Sequence, residues 1–95
     1  MTKREAYVQK MHARIDEWSA DIDRLEAKAR AAEADMKIEY ERQLERMREQ
    51  RAQARVKLEE LQGASEAAWD SVRAGFESAW ESLSKGFRDA ADKFR

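Results

Sequence analysis

Val8, Met11, Ile15, Trp18, Ile22, Leu25, Ala29, Ala32 and Met36 follow one another in strict alternation of three- and four-residue steps. That spacing places them all on one helical stripe and is the seam of a coiled coil, sustained for about four heptads. A strand would need a period of two, so this part of the chain is committed to helix, and its stripe must lie against something apolar. Beyond Met36 the seam runs through Tyr40, Leu44 and Met47, where two four-residue steps precede a three, a stutter that locally unwinds a supercoil. It resumes at Arg51, Ala54, Leu58 and Leu61.

Helix breakers are scarce elsewhere too: the 95 residues include no proline and only Gly63, Gly75 and Gly86, so an all-α chain of one domain is expected over 1–95. Charged residues make up 41% of the chain, enough for disorder were the 42% hydrophobic residues not periodic. The dominance of Ala, Glu, Arg, Lys and Leu is that of a coiled coil. A formal net charge of −1 provides no long-range field for phosphate backbones or anionic lipid, so nucleic acid is not an expected partner. No apolar run approaches the ~20 residues of a membrane span, and the charged N-terminus precedes no signal-like stretch. These features read as a cytoplasmic protein, not integral to a membrane; without cysteine it has no thiol chemistry of its own.

Gln62-Gly63-Ala64-Ser65 is the one credible break, with Gly suited to a left-handed position after a helix and Ser to the N-cap of the next. Helix 1 is therefore expected over about 3–62, a turn over 62–65, and helix 2 over about 65–94. A glycine inside a helix costs only about 1 kcal/mol relative to Ala, so an unbroken rod is the competing arrangement. Spacing favours an antiparallel coiled-coil hairpin. Reversal at Gly63 sets Trp69 against Leu58, Phe76 against Arg51, Trp80 against Met47, Leu83 against Leu44, Phe87 against Tyr40 and Ala91 against Met36. The stutter in helix 1 is then mirrored by the steps of helix 2, and Val72 falls on the same core face.

Helix 1 would be ~90 Å long and helix 2 about half that. The stripe of Val8, Met11, Ile15, Trp18, Ile22, Leu25, Ala29 and Ala32 would project without an intramolecular partner, so a homo-oligomer is expected, self-associating through the N-terminal half. An antiparallel dimer sets Trp18 against Ala29 and Ile15 against Ala32, large against small; a parallel one would stack Trp18 on itself.

Residues 68–89 repeat themselves: Ala-Trp-Asp-Ser-Val-Arg-Ala-Gly-Phe-Glu-Ser is followed by Ala-Trp-Glu-Ser-Leu-Ser-Lys-Gly-Phe-Arg-Asp. An eleven-residue echo specifies one helix face twice, three turns apart. Its aromatic residues read as core packed on helix 1, with Ser71, Gly75, Ser82 and Gly86 allowing another backbone close. They could alternatively enter a lipid or hydrophobic granule surface, as a peripheral amphipathic helix does. Residues 63–95 hold five Lys and Arg against six Asp and Glu, so no cationic face supports that alternative.

Chemistry is thinly represented. His12, the only histidine, has Asp16 one turn on, but two ligands on an exposed helix make a poor metal site, and a solvated histidine beside the seam is the plainer reading. No nucleophile has an evident base and no glycine-rich loop follows a strand, so neither enzyme activity nor a cofactor is expected. Arg51 stands at a seam position, where it either stacks on Phe76 or acts as a register-fixing polar residue.

The opening Met-Thr-Lys-Arg-Glu-Ala-Tyr, the Ile-Asp-Glu-Trp stretch followed by Asp-Ile-Asp-Arg-Leu-Glu-Ala-Lys-Ala, Ile-Glu-Tyr at 38–40 and the paired Ala-Trp-Asp-Ser and Ala-Trp-Glu-Ser blocks resemble the small bacterial coiled-coil proteins of cyanobacteria and proteobacteria linked to stress response. The resemblance spans essentially the whole chain. It implies a non-enzymatic cytoplasmic protein connected with stress and carries over no catalytic residue. The expected function is thus a structural or protein-interaction coiled coil.

Overall fold

The computed structural model describes residues 1–94, which form three helices: α1 (Lys3–Ala31), α2 (Ala34–Gln62) and α3 (Trp69–Asp92). α1 starts in a capping box. Thr2 Oγ1 accepts from the Glu5 backbone N–H at 3.1 Å while the Glu5 carboxylate turns back to the Thr2 N–H.

The long helix expected over 3–62 is two helices. Ala32 and Glu33 take extended backbone, with ψ of 157° and 156°, and the chain reverses there. No glycine or proline forces the break. Energetics decide it: reversal lets α1 bury Val8, Met11, Ile15, Ile22 and Leu25 inside its own chain. At about 1.5 to 3 kcal/mol per large side chain this is on the order of 10 kcal/mol, against a few helical hydrogen bonds of about 1 kcal/mol each. Lys28 and Arg30 in the last turn of α1 and Asp35 in the first of α2 complement the two new helix ends.

The second reversal occupies residues 63–68. Gly63 does not take the left-handed conformation expected of it; its φ of −84° and ψ of −2° continue the right-handed turn. Ser65 does cap, its Oγ accepting from the Ala68 N–H at 3.2 Å, but the residues it caps form a turn, so regular α3 begins at Trp69.

α2 runs antiparallel to both neighbours, and α1 and α3 are parallel, giving an up-down-up bundle of 53 × 22 × 17 Å. Between α2 and α3, Tyr40 stacks on Phe94 at 4.5 Å, and Gly86 lies against the Gln50 side chain. This register is displaced by about two turns from the pairing of Phe87 with Tyr40 and Ala91 with Met36. Two turns nearly equal a heptad, so the same faces meet and the core stripe survives the shift. The longer turn moves the register, and Met36, left beyond the end of α3, is 42% exposed.

The core has two connected halves. Ile22, Leu25, Ala29, Tyr40, Leu44, Met47, Phe87, Ala90 and Phe94 fill the end near the first reversal. Val8, Met11, Ile15, Ala54, Leu58, Leu61, Phe76 and Leu83 fill the other. The α1 seam is therefore not a projecting stripe: six of its eight residues are buried in their own chain, and Trp18 and Ala32 are partly buried. Of the expected hairpin core, Tyr40, Leu44, Met47, Leu58, Phe76, Leu83 and Phe87 are buried, whereas Trp69, Val72, Trp80 and Ala91 pack at its margin.

Candidate functional site

The eleven-residue echo of α3 meets an eleven-residue spacing in α1. Tyr7 lies against Trp69 and Phe76, edge-on, at 6.2 Å from each. Eleven residues later Trp18 lies between Trp80 and Phe87, stacked face to face at 4.6 and 4.5 Å. The Trp and Phe of each repeat are seven residues apart, about 10 Å along the axis, which leaves room for one flat ring between them. Each repeat is thus a clip for one α1 ring. Spacing alone sets these aromatics against α2; their main ring partners are on α1, and the equal spacing of Tyr7 and Trp18 is the signal that would have revealed it.

Rings of this size hold the α1 and α3 backbones farther apart than either helix stands from α2. The result is a groove along the α1–α3 side. At the second clip it opens to about 350 Å³, with the half-buried Trp18 and Trp80 as floor and Arg14, Glu17, Ser84 and Arg88 around it. Neither Arg14 nor Arg88 lies within ion-pair distance of a carboxylate among the described residues. At the first clip the groove is closed by side chains. Tyr7 Oη donates to Glu77 Oε1 at 3.2 Å, Arg73 pairs with the same carboxylate at 3.6 Å, and the Arg73 guanidinium stands 5.7 Å from the Tyr7 ring. Burial, and then the adjoining Glu77 charge and hydrogen bond, push the Tyr7 hydroxyl above its usual pKa, with Arg73 and Arg14 pulling the other way.

Arg51 turns away from Phe76 and towards α1, where its Nη1 donates to Ser19 Oγ at 3.1 Å; Arg55 reaches the same hydroxyl at 3.4 Å. The register shift explains this, since Phe76 now lies about two turns nearer the second reversal than Arg51 requires. Next to them Arg48 pairs with Glu26 at 3.0 Å, and that hydrogen bond holds the guanidinium above its ordinary pKa. An aromatic–arginine stack does occur, on a residue that sequence reasoning missed: Arg4 lies 4.6 Å over the Trp69 ring. The same guanidinium donates to the Gln62 carbonyl at 2.9 Å and to that of Ala64, tying the start of α1 to the α2–α3 turn. Lys28 Nζ makes the matching closure at the opposite end, on the Phe94 carbonyl.

His12 is exposed and its Nε2 lies 3.3 Å from Gln62 Oε1, in a shallow hollow with Arg4, Glu5, Val8 and Gln9. Asp16 is exposed on the same helix, and among the described residues no three His, Cys, Asp or Glu side chains come together as metal ligands. Among the described residues no helix is long and apolar enough to cross a membrane. Of the α3 face considered for lipid insertion, Phe76, Leu83 and Phe87 are buried, while Trp69 and Trp80 are half-buried at the bundle margin.

No protein-family model, no curated protein and no solved structure matches this chain.

Proposed function

We propose that this protein is a non-catalytic helical interaction module that binds an acidic segment of another protein in the α1–α3 groove, with an apolar partner side chain seated on Trp18 and Trp80. The observation that carries this reading is the pairing of two half-buried indoles with two guanidiniums, Arg14 and Arg88, that have no carboxylate partner among the described residues, at one 350 Å³ opening. Amphipathic rings and arginine are the residue types that concentrate binding energy at interfaces. Arg24, Arg42, Arg48 and Arg73 are engaged by carboxylates of the chain itself; Arg14 and Arg88 are not, and they differ from other such arginines in sharing one opening with Trp18 and Trp80. A carboxylate on the partner would meet each as a charge-assisted hydrogen bond.

The test uses fluorescently labelled twelve-residue peptides rich in Glu and Asp around one central Phe, beside matched Lys and Arg peptides, read by anisotropy. The acidic set is expected to bind at micromolar concentration, with weaker binding as salt rises. Arg14→Glu with Arg88→Glu, both on the surface, should weaken it at least tenfold without changing the thermal melt. Equal binding of acidic and basic peptides, or undiminished binding by the double variant, would overturn the reading. Binding to phosphatidylglycerol vesicles with no response to any peptide would instead favour the lipid-surface alternative.

A further inference from the structure

The turn between α1 and α2 has an unusual composition for a reversal. Ala31-Ala32-Glu33-Ala34 consists entirely of strong helix formers, and Glu33, the N-cap of α2, contributes no side-chain cap. Its two extended residues have φ of −75° and −67°, already close to helical values. Rotation of ψ alone at Ala32 and Glu33, from near 157° to near −42°, would therefore fuse α1 and α2 into one helix over 3–62. Fusion also supplies partners for the carbonyls ending α1 and the N–H groups opening α2 that the reversal leaves outside any helix.

The second reversal is built otherwise. The Ser65 cap and the Arg4 bonds to the Gln62 and Ala64 carbonyls hold the 63–68 turn in place. Of the two hinges, only the first is free to straighten.

We infer that a second copy of this chain is a partner, taken up by exchange of α1: the 32–33 hinge straightens, and α1 of each copy docks on α2 and α3 of the other. This goes beyond the groove reading and is independent of it. The packing that opening breaks within a chain is rebuilt between chains, with Trp18 of one copy between Trp80 and Phe87 of the second. The net local gain is continuous helix across the hinge, and the cost is association, so concentration controls the exchange. Short hinges whose residues prefer another conformation invite this behaviour. The closed chain is 53 Å long, whereas the exchanged dimer contains two antiparallel helices of ~90 Å each.

Glu33→Pro provides the test. Proline suits the φ of −67° at position 33, and the extended Ala32 before it suits a residue preceding proline, so the closed chain accepts the substitution. A helix continuous across that position does not. After refolding at about 1 mM, light scattering of the wild type is expected to show a species of twice the 11.1 kDa chain mass, with an X-ray scattering length near ~90 Å. Glu33→Pro should remain at the single-chain mass with an equal or higher melting temperature. Wild type that stays at single-chain mass, or a Glu33→Pro protein that forms the same dimer, would overturn the inference. Insertion of Gly-Gly-Ser-Gly-Gly after Ala32 is a second check that avoids proline, and it too is expected to abolish the dimer.

Discussion

Gly75 and Gly86 occupy the same place in the two halves of the α3 echo, yet alanine should affect them differently. A Cβ added at Gly75 meets nothing within 4 Å, whereas one at Gly86 would lie 2.9 Å from Gln50 Nε2 and 3.2 Å from its Cδ. Gly75→Ala should therefore show the bare helix propensity difference, a stabilisation of about 0.5 to 1 kcal/mol. In a chain of this size that raises the melting midpoint by about 2 to 8 °C. At Gly86 the same gain is opposed by displacing the Gln50 side chain from its rotamer, about 0.5 to 1.5 kcal/mol, so Gly86→Ala should lie near neutral. Urea unfolding followed by circular dichroism measures both. In the background of Gln50→Ala, Gly86→Ala should recover the full gain, giving a coupling of about 1 kcal/mol between positions 50 and 86. Additivity within about 0.3 kcal/mol would refute the α2–α3 register, because the hairpin pairing suggested by spacing places Gly86 about two turns away from Gln50.

Arg4→Ala removes two carbonyl contacts and the stack on Trp69, and should cost about 1 to 2 kcal/mol by urea denaturation, with Arg4→Lys recovering only part. Because the Tyr7 pKa is raised in the folded chain, the neutral phenol favours folding; its contribution is intact below pH ~10 and declines as pH rises through the folded pKa. Tyr7→Phe should accordingly flatten the loss of stability above pH ~10, which pH-dependent urea unfolding measures. Gln43 is 3% exposed and its amide donates to Glu39 at 2.7 Å, while its Oε1 has no partner among the described residues. Gln43→Met should thus stabilise by about 1 kcal/mol, and Gln43→Ala should destabilise, on thermal melts.

The stripes were legible in the sequence and their partners were not. Heptad spacing identified Val8, Ile22, Leu44 and Leu58 as inward-facing, because periodicity records which side of a helix avoids water. It does not record where a helix ends when tertiary burial outweighs local preference. Ala31 to Ala34 are good helix formers, so the reversal at 32–33 left no mark in glycine or proline. A faint charge signal was present, with Lys28 and Arg30 before the break and Glu33 and Asp35 after it, as the dipoles of two separate helices prefer. The misplaced register had a similar origin: an error of nearly one heptad preserves every face, so apolar spacing could not correct it. The groove was least visible. Arg14 and Arg88 are 74 positions apart and ordinary as sequence; only the parallel placement of α1 beside α3, held apart by rings, brings them to one opening.

α1 folds back on its own chain at residues 32–33. Small-angle X-ray scattering at dilute, single-chain mass tests it most directly, since the closed bundle has a Cα radius of gyration of 15.6 Å and a length of 53 Å. The closed bundle should give a radius of about 16 to 17 Å, allowing for side chains and hydration, and a maximum dimension below about 65 Å. A maximum dimension near ~90 Å at single-chain mass, the length of an uninterrupted 3–62 helix, would contradict it.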